Sequence, residues 1–453
     1  MQTSSNVWEI LLACVLLGPG LAVAGVNPVQ TVLTASDKAE DDNFGCSVSV
    51  DGDVALVGAD WASVGATTSA GAAYVFERDQ GGTNAWGEAV KLSASDKAQE
   101  DRFGFSSSVA GDVAVVGALY ADHGGVTNAG AAYVFERDAG GSNAWGQVAK
   151  LTALDKAAED WFGYSVRING DVALVGAVYA DPGGVTSAGA AYVFGRNEGG
   201  SNAWGHVVKL TASDKAAYDY FGYSVGVCGD VAVVGAEWAS PGGITRAGAA
   251  YVFGKDVGGT NAWGEVAKLM ASDKASNDYF GCSVSVAGDV VVIGARDASP
   301  DGLTNAGAAY VFERNAGGSN AWGQVAKLTA SDAAAQNVFG YSASVAGDVV
   351  LVGSELADPG GVSDAGAAYL FEGFQYGPPT ITNLFAEAGV CALSFDCQPA
   401  WRYDVQWGTN LIESAWEPAP ALTNLPGDTS GSLTVRHTND LPKAFYRLLR
   451  HGP

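Results

Sequence analysis

The chain has 453 residues, 62 of them Gly, and sets 24 Lys and Arg against 49 Asp and Glu for a net charge of −25. Such a surface repels phosphate and excludes nucleic acid as a partner, leaving cations, basic surfaces or plain solubility as its consequences. Six cysteines are too few for a disulfide framework in a chain of this length, and no later apolar run is long enough to span a bilayer.

Residues 1–24 read as a secretory signal. Ile10 to Val23 is apolar apart from Gly18-Pro19-Gly20, and Ala22-Val23-Ala24 offers a small-residue cleavage site before Gly25. Glu9 stands where a positive n-region is usual. The mature chain is expected to be secreted, extracellular or at the cell surface, without a transmembrane segment, and monomeric.

From Phe44 onward a Phe-Gly pair recurs at Phe103, Phe162, Phe221, Phe280 and Phe339, always 59 residues apart. Six copies in phase indicate a repeat protein whose unit holds several elements. In the third copy, Phe162 to Asn169 alternates apolar and small or polar residues, the period of a strand. Asn169-Gly170 ends it as a hairpin signal, because a two-residue turn needs a positive φ at its Gly. Val172 to Ala177 and Ala190 to Phe194 are almost wholly apolar, as strands covered on both faces are. Trp204 to Ala212 alternates again, and Lys209 suits an outer strand. Each repeat is therefore one four-stranded antiparallel sheet.

The sixth copy stops at Phe371 without a Trp-Gly strand, while Val29 to Asp37 matches a fourth strand ahead of the first Phe-Gly. An N-terminal strand closing the last blade would remove the open edges. The expected fold is all-β: a six-bladed β-propeller of four-stranded antiparallel blades over residues 25–375. After a linker at 376–379, residues 380–453 have strand-like runs at Ala392–Phe395, Arg402–Trp407, Ser432–Arg436 and Phe445–Leu449. They are expected to form a small C-terminal β-sandwich-like domain, with a Cys391–Cys397 disulfide possible if the chain turns between them.

The runs Phe-Gly-x-Ser-Val, Gly-Asp-Val-Ala-Leu-Val-Gly-Ala and Gly-Ala-Ala-Tyr-Val-Phe resemble the FG-GAP repeat, the blade unit of the integrin α-chain propeller. The closest likeness is to the bacterial form, with its Trp-containing strand and Leu-Thr-Ala-Ser-Asp segment. The resemblance implies a propeller whose loop face meets a ligand. Two departures stand out: integrin propellers have seven blades, and the Asp-rich calcium loop of some FG-GAP repeats is here only Asp51-Gly52 or its equivalent. That calcium site is not carried over. The C-terminal segment resembles small β-modules of secreted bacterial proteins.

Antiparallel order places the inter-blade loops and the loops between second and third strands on one face. That face collects Asp37, Glu40, Asp41, Asp42, Asp101, Asp160, Asp219 and Asp278. Of these, Asp41, Asp42, Asp101, Asp160, Asp219 and Asp278 form the candidate set for Ca²⁺, the one cofactor considered, although their spacing matches no defined loop. The longer loops differ most at matching places, with Trp61, Tyr120, Tyr179, Trp238, Asp297 and Leu356. Loops that vary on a rigid scaffold are where binding concentrates, so Trp61, Tyr120, Tyr179 and Trp238 are the candidate ligand contacts. Trp86, Trp145, Trp204, Trp263 and Trp322 are expected to pack between blades, and Cys46 and Cys282 to act as buried apolar substitutes. The Asp of each Gly-Asp turn (Asp53 and its equivalents) and of each inter-blade loop (Asp37 and its equivalents) is expected to accept backbone N–H bonds.

Catalysis finds little support. His123, His206, His437 and His451 sit in unrelated contexts with no partner at ligand or triad spacing. Acidic residues recur in nearly every copy, whereas a catalytic pair should stand out from the symmetric background. The leading expectation is a non-catalytic adhesion or ligand-binding propeller with an extracellular protein or glycan as partner. A structural surface or matrix protein without a discrete ligand is the alternative, and a propeller hydrolase or lyase is less favoured.

Overall fold

A computed structural model describes residues 31–372, apart from a few positions in the turn before each outer strand, and the strand residues between 381 and 451. The signal-like segment and the linker lie outside the described residues. So do the side chains of the C-terminal segment, and with them the sandwich packing and the Cys391–Cys397 pairing.

The repeat folds as its alternation requires. Blade 3 has strands Phe162–Asn169, Val172–Ala177, Ala190–Arg196 and Trp204–Leu210, in that spatial order and antiparallel throughout. Blades 1 to 5 each have four strands, and three are described in blade 6, ending at Ala367–Phe371. The fourth strand expected for blade 6 at Val29 to Asp37 is not formed among the described residues: positions 29 and 30 lie outside them, 31–35 are irregular and 36–37 form a turn. Between 381 and 451, seven strands lie in two further sheets, and the runs expected at 392–395, 402–407, 432–436 and 445–449 all fall within them.

Consecutive blades meet mainly through their first strands, which places those strands innermost. Each interface is an apolar layer: Leu174, Ala191 and Val193 of blade 3 pack on Val225, Val227, Ala232, Val234 and Tyr251 of blade 4. The Phe of Phe-Gly is fully buried in blades 2 to 6. It lies against the Tyr and Phe of its own third strand, as Phe162 does with Tyr192 at 5.4 Å and Phe194 at 5.9 Å. Such burial is worth about 1.5–3 kcal/mol per ring, with about 0.5–1.5 kcal/mol more from ring geometry. The Gly of Gly-Ala is needed for close approach: a Cβ on Gly117 would sit 2.1 Å from the Gly163 carbonyl oxygen of the next blade. Beside it, Ser106 Oγ donates to that same oxygen at 2.7 Å, and Ser165 repeats the bond to Gly222.

Polar groups extend the same pattern outward. In blade 3, Asp155 accepts from Tyr192 Oη at 2.9 Å and from Lys209 Nζ at 2.6 Å, and Lys209 also lies over the Tyr192 ring. The same trio recurs as Asp37, Asp96, Asp214 and Asp273 with their Tyr and Lys. The turn aspartates Asp53, Asp112, Asp171 and Asp289 pair instead with Arg78, Arg137, Arg196 and Arg314 of the third strand. Both sets were expected to bond turn N–H groups; Asp37, Asp96, Asp155, Asp214 and Asp273 do take a backbone hydrogen bond, and the carboxylates of both sets also tie strands together, because a long Tyr, Lys or Arg on the neighbouring strand reaches them. Trp145, Trp204 and Trp263 are buried between blades as expected, and the Trp145 indole donates to Glu77 of the preceding blade at 2.9 Å. Cys282 is buried as expected, whereas Cys46 is exposed.

That last difference belongs to a seam. Leu351 and Leu370 on the outward face of blade 6 are 43% and 57% exposed, whereas Leu174 and Val193, their equivalents in blade 3, are 0% and 1%. On blade 1, Val50 is exposed where Val109 and Ile168 are buried.

Candidate functional site

The two loop sets expected on one face do meet there. In blades 2 to 6 the inter-blade loop bonds to the second-to-third-strand loop of the blade before it: Glu159 N donates to Thr127 O, Trp161 N to Asn128 O and Phe162 N to Ala129 O. Five of the loops close on a buried or half-buried carboxylate. Asp42, Asp101, Asp160, Asp219 and Asp278 each accept from the backbone N–H three residues earlier, at 2.6–2.7 Å. Burial pushes the carboxyls of Asp101, Asp160, Asp219 and Asp278 above the ordinary value, against the pull of that N–H.

The candidate calcium residues are not gathered in one place. A Ca²⁺ ion takes about six to eight oxygens, but these carboxylates are distributed one per loop and already serve their own backbone, while Asp41 stands exposed beside Asp42. Among the described residues no three His, Cys, Asp or Glu side chains gather in a metal-holding group.

Loop closure forces the residue just before each Phe-Gly into the left-handed region. Asn43, Arg102, Trp161, Tyr220, Tyr279 and Val338 have φ between 52° and 59°. Asn tolerates this conformation, whereas bulky and β-branched side chains rarely adopt it. Trp, two Tyr and Val at such a position mark strain that the surrounding bonds hold in place.

From there these side chains meet the expected ligand contacts. Trp161 packs between Tyr120 at 5.0 Å and Tyr179 at 4.4 Å, edge to face. Tyr220 packs between Tyr179 at 5.1 Å and Trp238 at 4.8 Å, and Trp238 reaches Tyr279 at 6.3 Å. Six rings from blades 2 to 5 thus form one arc, all of them half-buried.

Arginines extend the arc at both ends. Arg102 lies over the Trp61 ring at 3.6 Å and within 5.9 Å of Tyr120. Its guanidinium is held by Asp60, which accepts from Nε at 2.8 Å and Nη2 at 2.6 Å and from Asn43 at 2.8 Å while itself only 1% exposed. At the far end, Arg296 stacks on Tyr279 at 4.9 Å and pairs with the buried Glu237. Burial pushes the Glu237 carboxyl up, and Arg296 draws it back. Beneath the arc, Phe105, Tyr164 and Tyr223 form a second row with centroids 5.2–5.3 Å apart.

All four expected ligand contacts therefore lie on this face: Tyr120, Tyr179 and Trp238 within the arc, and Trp61, 44% exposed, at its blade 1 end. Sequence reading missed Arg102, Trp161, Tyr220 and Tyr279. The available signal was an aromatic or Arg in front of Phe-Gly in four consecutive copies.

No curated protein matches the chain. Among solved structures, it is similar to the periplasmic gluconolactonase PpgL of Pseudomonas aeruginosa, at 13% identity over 69% of this chain and 79% of that one, with a TM-score of 0.43. It is also similar to the β-propeller domain of the Trilobed protease of Pyrococcus furiosus, described as having an open velcro topology, at 8% identity over 77% and 88% of the two chains, with a TM-score of 0.40. A family model described as the FG-GAP repeat matches residues 29–76, 86–135, 145–194, 204–253, 263–312 and 322–371. These six spans cover more than half of the sequence, each running from an outer strand, or its N-terminal counterpart, to the third strand of the next blade, and the chain belongs to the FG-GAP repeat family.

Proposed function

We propose that the protein is a secreted or cell-surface, non-catalytic propeller that binds an extracellular protein or glycan through the loop face. The supporting observation is the continuous arc from Tyr120 to Tyr279. Aromatic rings and Arg are the side chains that dominate binding hot spots. Here they stand on loops of a rigid scaffold, and Arg102, Trp161, Tyr220 and Tyr279 occupy backbone positions where their bulk costs stability. Folding alone would favour Asn or Gly there. Asp42, Asp101, Asp160, Asp219 and Asp278 are engaged by loop backbones and Asp60 and Glu237 by Arg, which favours binding over acid–base chemistry at these carboxylates. The signal-like segment at residues 1–24 supports the location.

The test replaces Trp61, Tyr120, Tyr179 and Trp238 together by Ser and compares the variant with the unchanged chain on arrays of extracellular proteins and glycans. The expected result is loss of the contacts the unchanged chain makes, with the melting temperature within a few degrees. Contacts that survive the fourfold change would overturn the proposal.

A further inference from the structure

Resting on that binding reading, we infer that the ligand is a neutral glycan chain lying along the arc, its successive sugars set against successive aromatic rings. The first argument is periodicity. The arc presents an aromatic ring at two places in each blade step, from Tyr120 through Trp161, Tyr179 and Tyr220 to Trp238, with neighbouring centroids 4.4–5.1 Å apart. A ligand that offers the same group at a regular interval engages such a row in turn. Each contact is weak, and linkage adds them through effective concentration. A polysaccharide has that regularity; the surface of a folded protein does not.

The second argument is chemical. A pyranose has an apolar C–H face rimmed by hydroxyls, and Tyr and Trp pair an apolar ring with a polar tip. Burial raises the Tyr179 and Tyr220 phenols above their ordinary value, so both remain O–H donors at neutral pH. At the blade 1 end, a hollow of about 270 Å³ lies beside Trp61, with Asp41, Asp42, Ser63 and Ser69 on its walls. Its oxygens suit the hydroxyls of a sugar, and Trp61 suits the sugar's apolar face.

The third argument is charge. Arg102 and Arg296 are neutralised by Asp60 and Glu237, so neither is spare for a uronate or sulfate. Arg246, over the Trp238 ring at 4.1 Å, is the one guanidinium of the arc with no carboxylate partner among the described residues. Against it stands a net charge of −25, which disfavours a polyanion over distances of about a Debye length or more.

Affinity electrophoresis of the full chain tests this, in gels containing a mixed-linkage β-glucan, a xyloglucan, a galactomannan, alginate or gelatin. Trp161→Asn and Tyr220→Asn remove two central rings and place Asn where a positive φ suits it, so the double variant should melt no lower than the unchanged chain. The expected result is retardation by at least one neutral glycan, weakened at least tenfold in the double variant. Retardation by gelatin alone, lost in the double variant, would overturn the glycan inference and leave the binding reading standing. Retardation by alginate alone would overturn the neutral assignment in the same way. No retardation in any gel, or retardation unchanged in the double variant, would overturn both the inference and the role of the arc.

Discussion

The Asp60–Arg102 pair offers a quantitative test of how the face is held. Asp60 is almost completely buried and its carboxylate accepts three hydrogen bonds, two from Arg102 and one from Asn43. Asp60→Leu leaves the guanidinium charged, with 15% of its side chain exposed and only the Trp61 and Tyr120 rings beside it. Breaking a buried pair from one side costs about 3–5 kcal/mol. The low end applies here, because the guanidinium retains some water and its stacking. Arg102→Met leaves a carboxylate with a single donor in a drier place, so it should cost as much or more. Asp60→Leu with Arg102→Met removes both charges and should lie within about 1–2 kcal/mol of the unchanged protein, since apolar replacement of a buried pair is often neutral. Urea unfolding of the four proteins at pH 7, followed by Trp fluorescence, closes the cycle, with a coupling of about 2 kcal/mol or more expected. Single variants each costing less than about 1 kcal/mol, or a double variant equal to their sum, would refute the view that this pair fixes Arg102 over Trp61.

Three other outcomes follow from the blades. Burial alone would raise Asp155, but the bonds from Lys209 and Tyr192 outweigh it and hold the carboxyl below 3.8. A folded value below the unfolded one gives stability that is present above the unfolded value and lost as pH falls through the folded one. Asp155→Asn should therefore lower the melting temperature at pH 6 and leave it unchanged near pH 2; an equal drop at both would contradict the assignment. Gly117→Ala drives a Cβ into the Gly163 carbonyl oxygen and should cost about 3 kcal/mol or more. Gly111→Ala, at φ +54° in open space, should cost about 1–2 kcal/mol, and equal losses in urea would argue against close approach as the reason for the glycine. Ser165→Ala deletes the bond to Gly222 O and should cost about 1 kcal/mol, read by the same unfolding midpoint; an unchanged midpoint would show that water replaces the bond at no cost.

The blade was legible because its residues obey short periods. Alternation in Phe162 to Asn169 and the apolar run Val172 to Ala177 gave strand bounds that coincide with the structure. Half of the arc was legible too, since Trp61, Tyr120, Tyr179 and Trp238 stand out as differences in otherwise matching loops. Trp161, Tyr220, Tyr279 and Arg102 escaped because their importance arises from ring contacts between residues 18 or 41 apart in sequence, on different loops of one blade or of adjacent blades, and no period within one strand records that. The place of the loop acids was not legible for a related reason: composition records that carboxylates are many, while only backbone geometry shows Asp160 turned onto the Ala157 N–H.

The seam makes the six blades unequal. Blades 2 to 5 each share two apolar interfaces, whereas the outward face of blade 6 and the inward face of blade 1 are bare among the described residues. In a repeat structure whose stability is a sum of nearest-neighbour terms, units with two packed neighbours are held most firmly. Trp161, Tyr179 and Tyr220 belong to blades 3 and 4, each with an apolar layer on both sides, so amide exchange there should be slow and the arc should keep its geometry when other parts of the chain open.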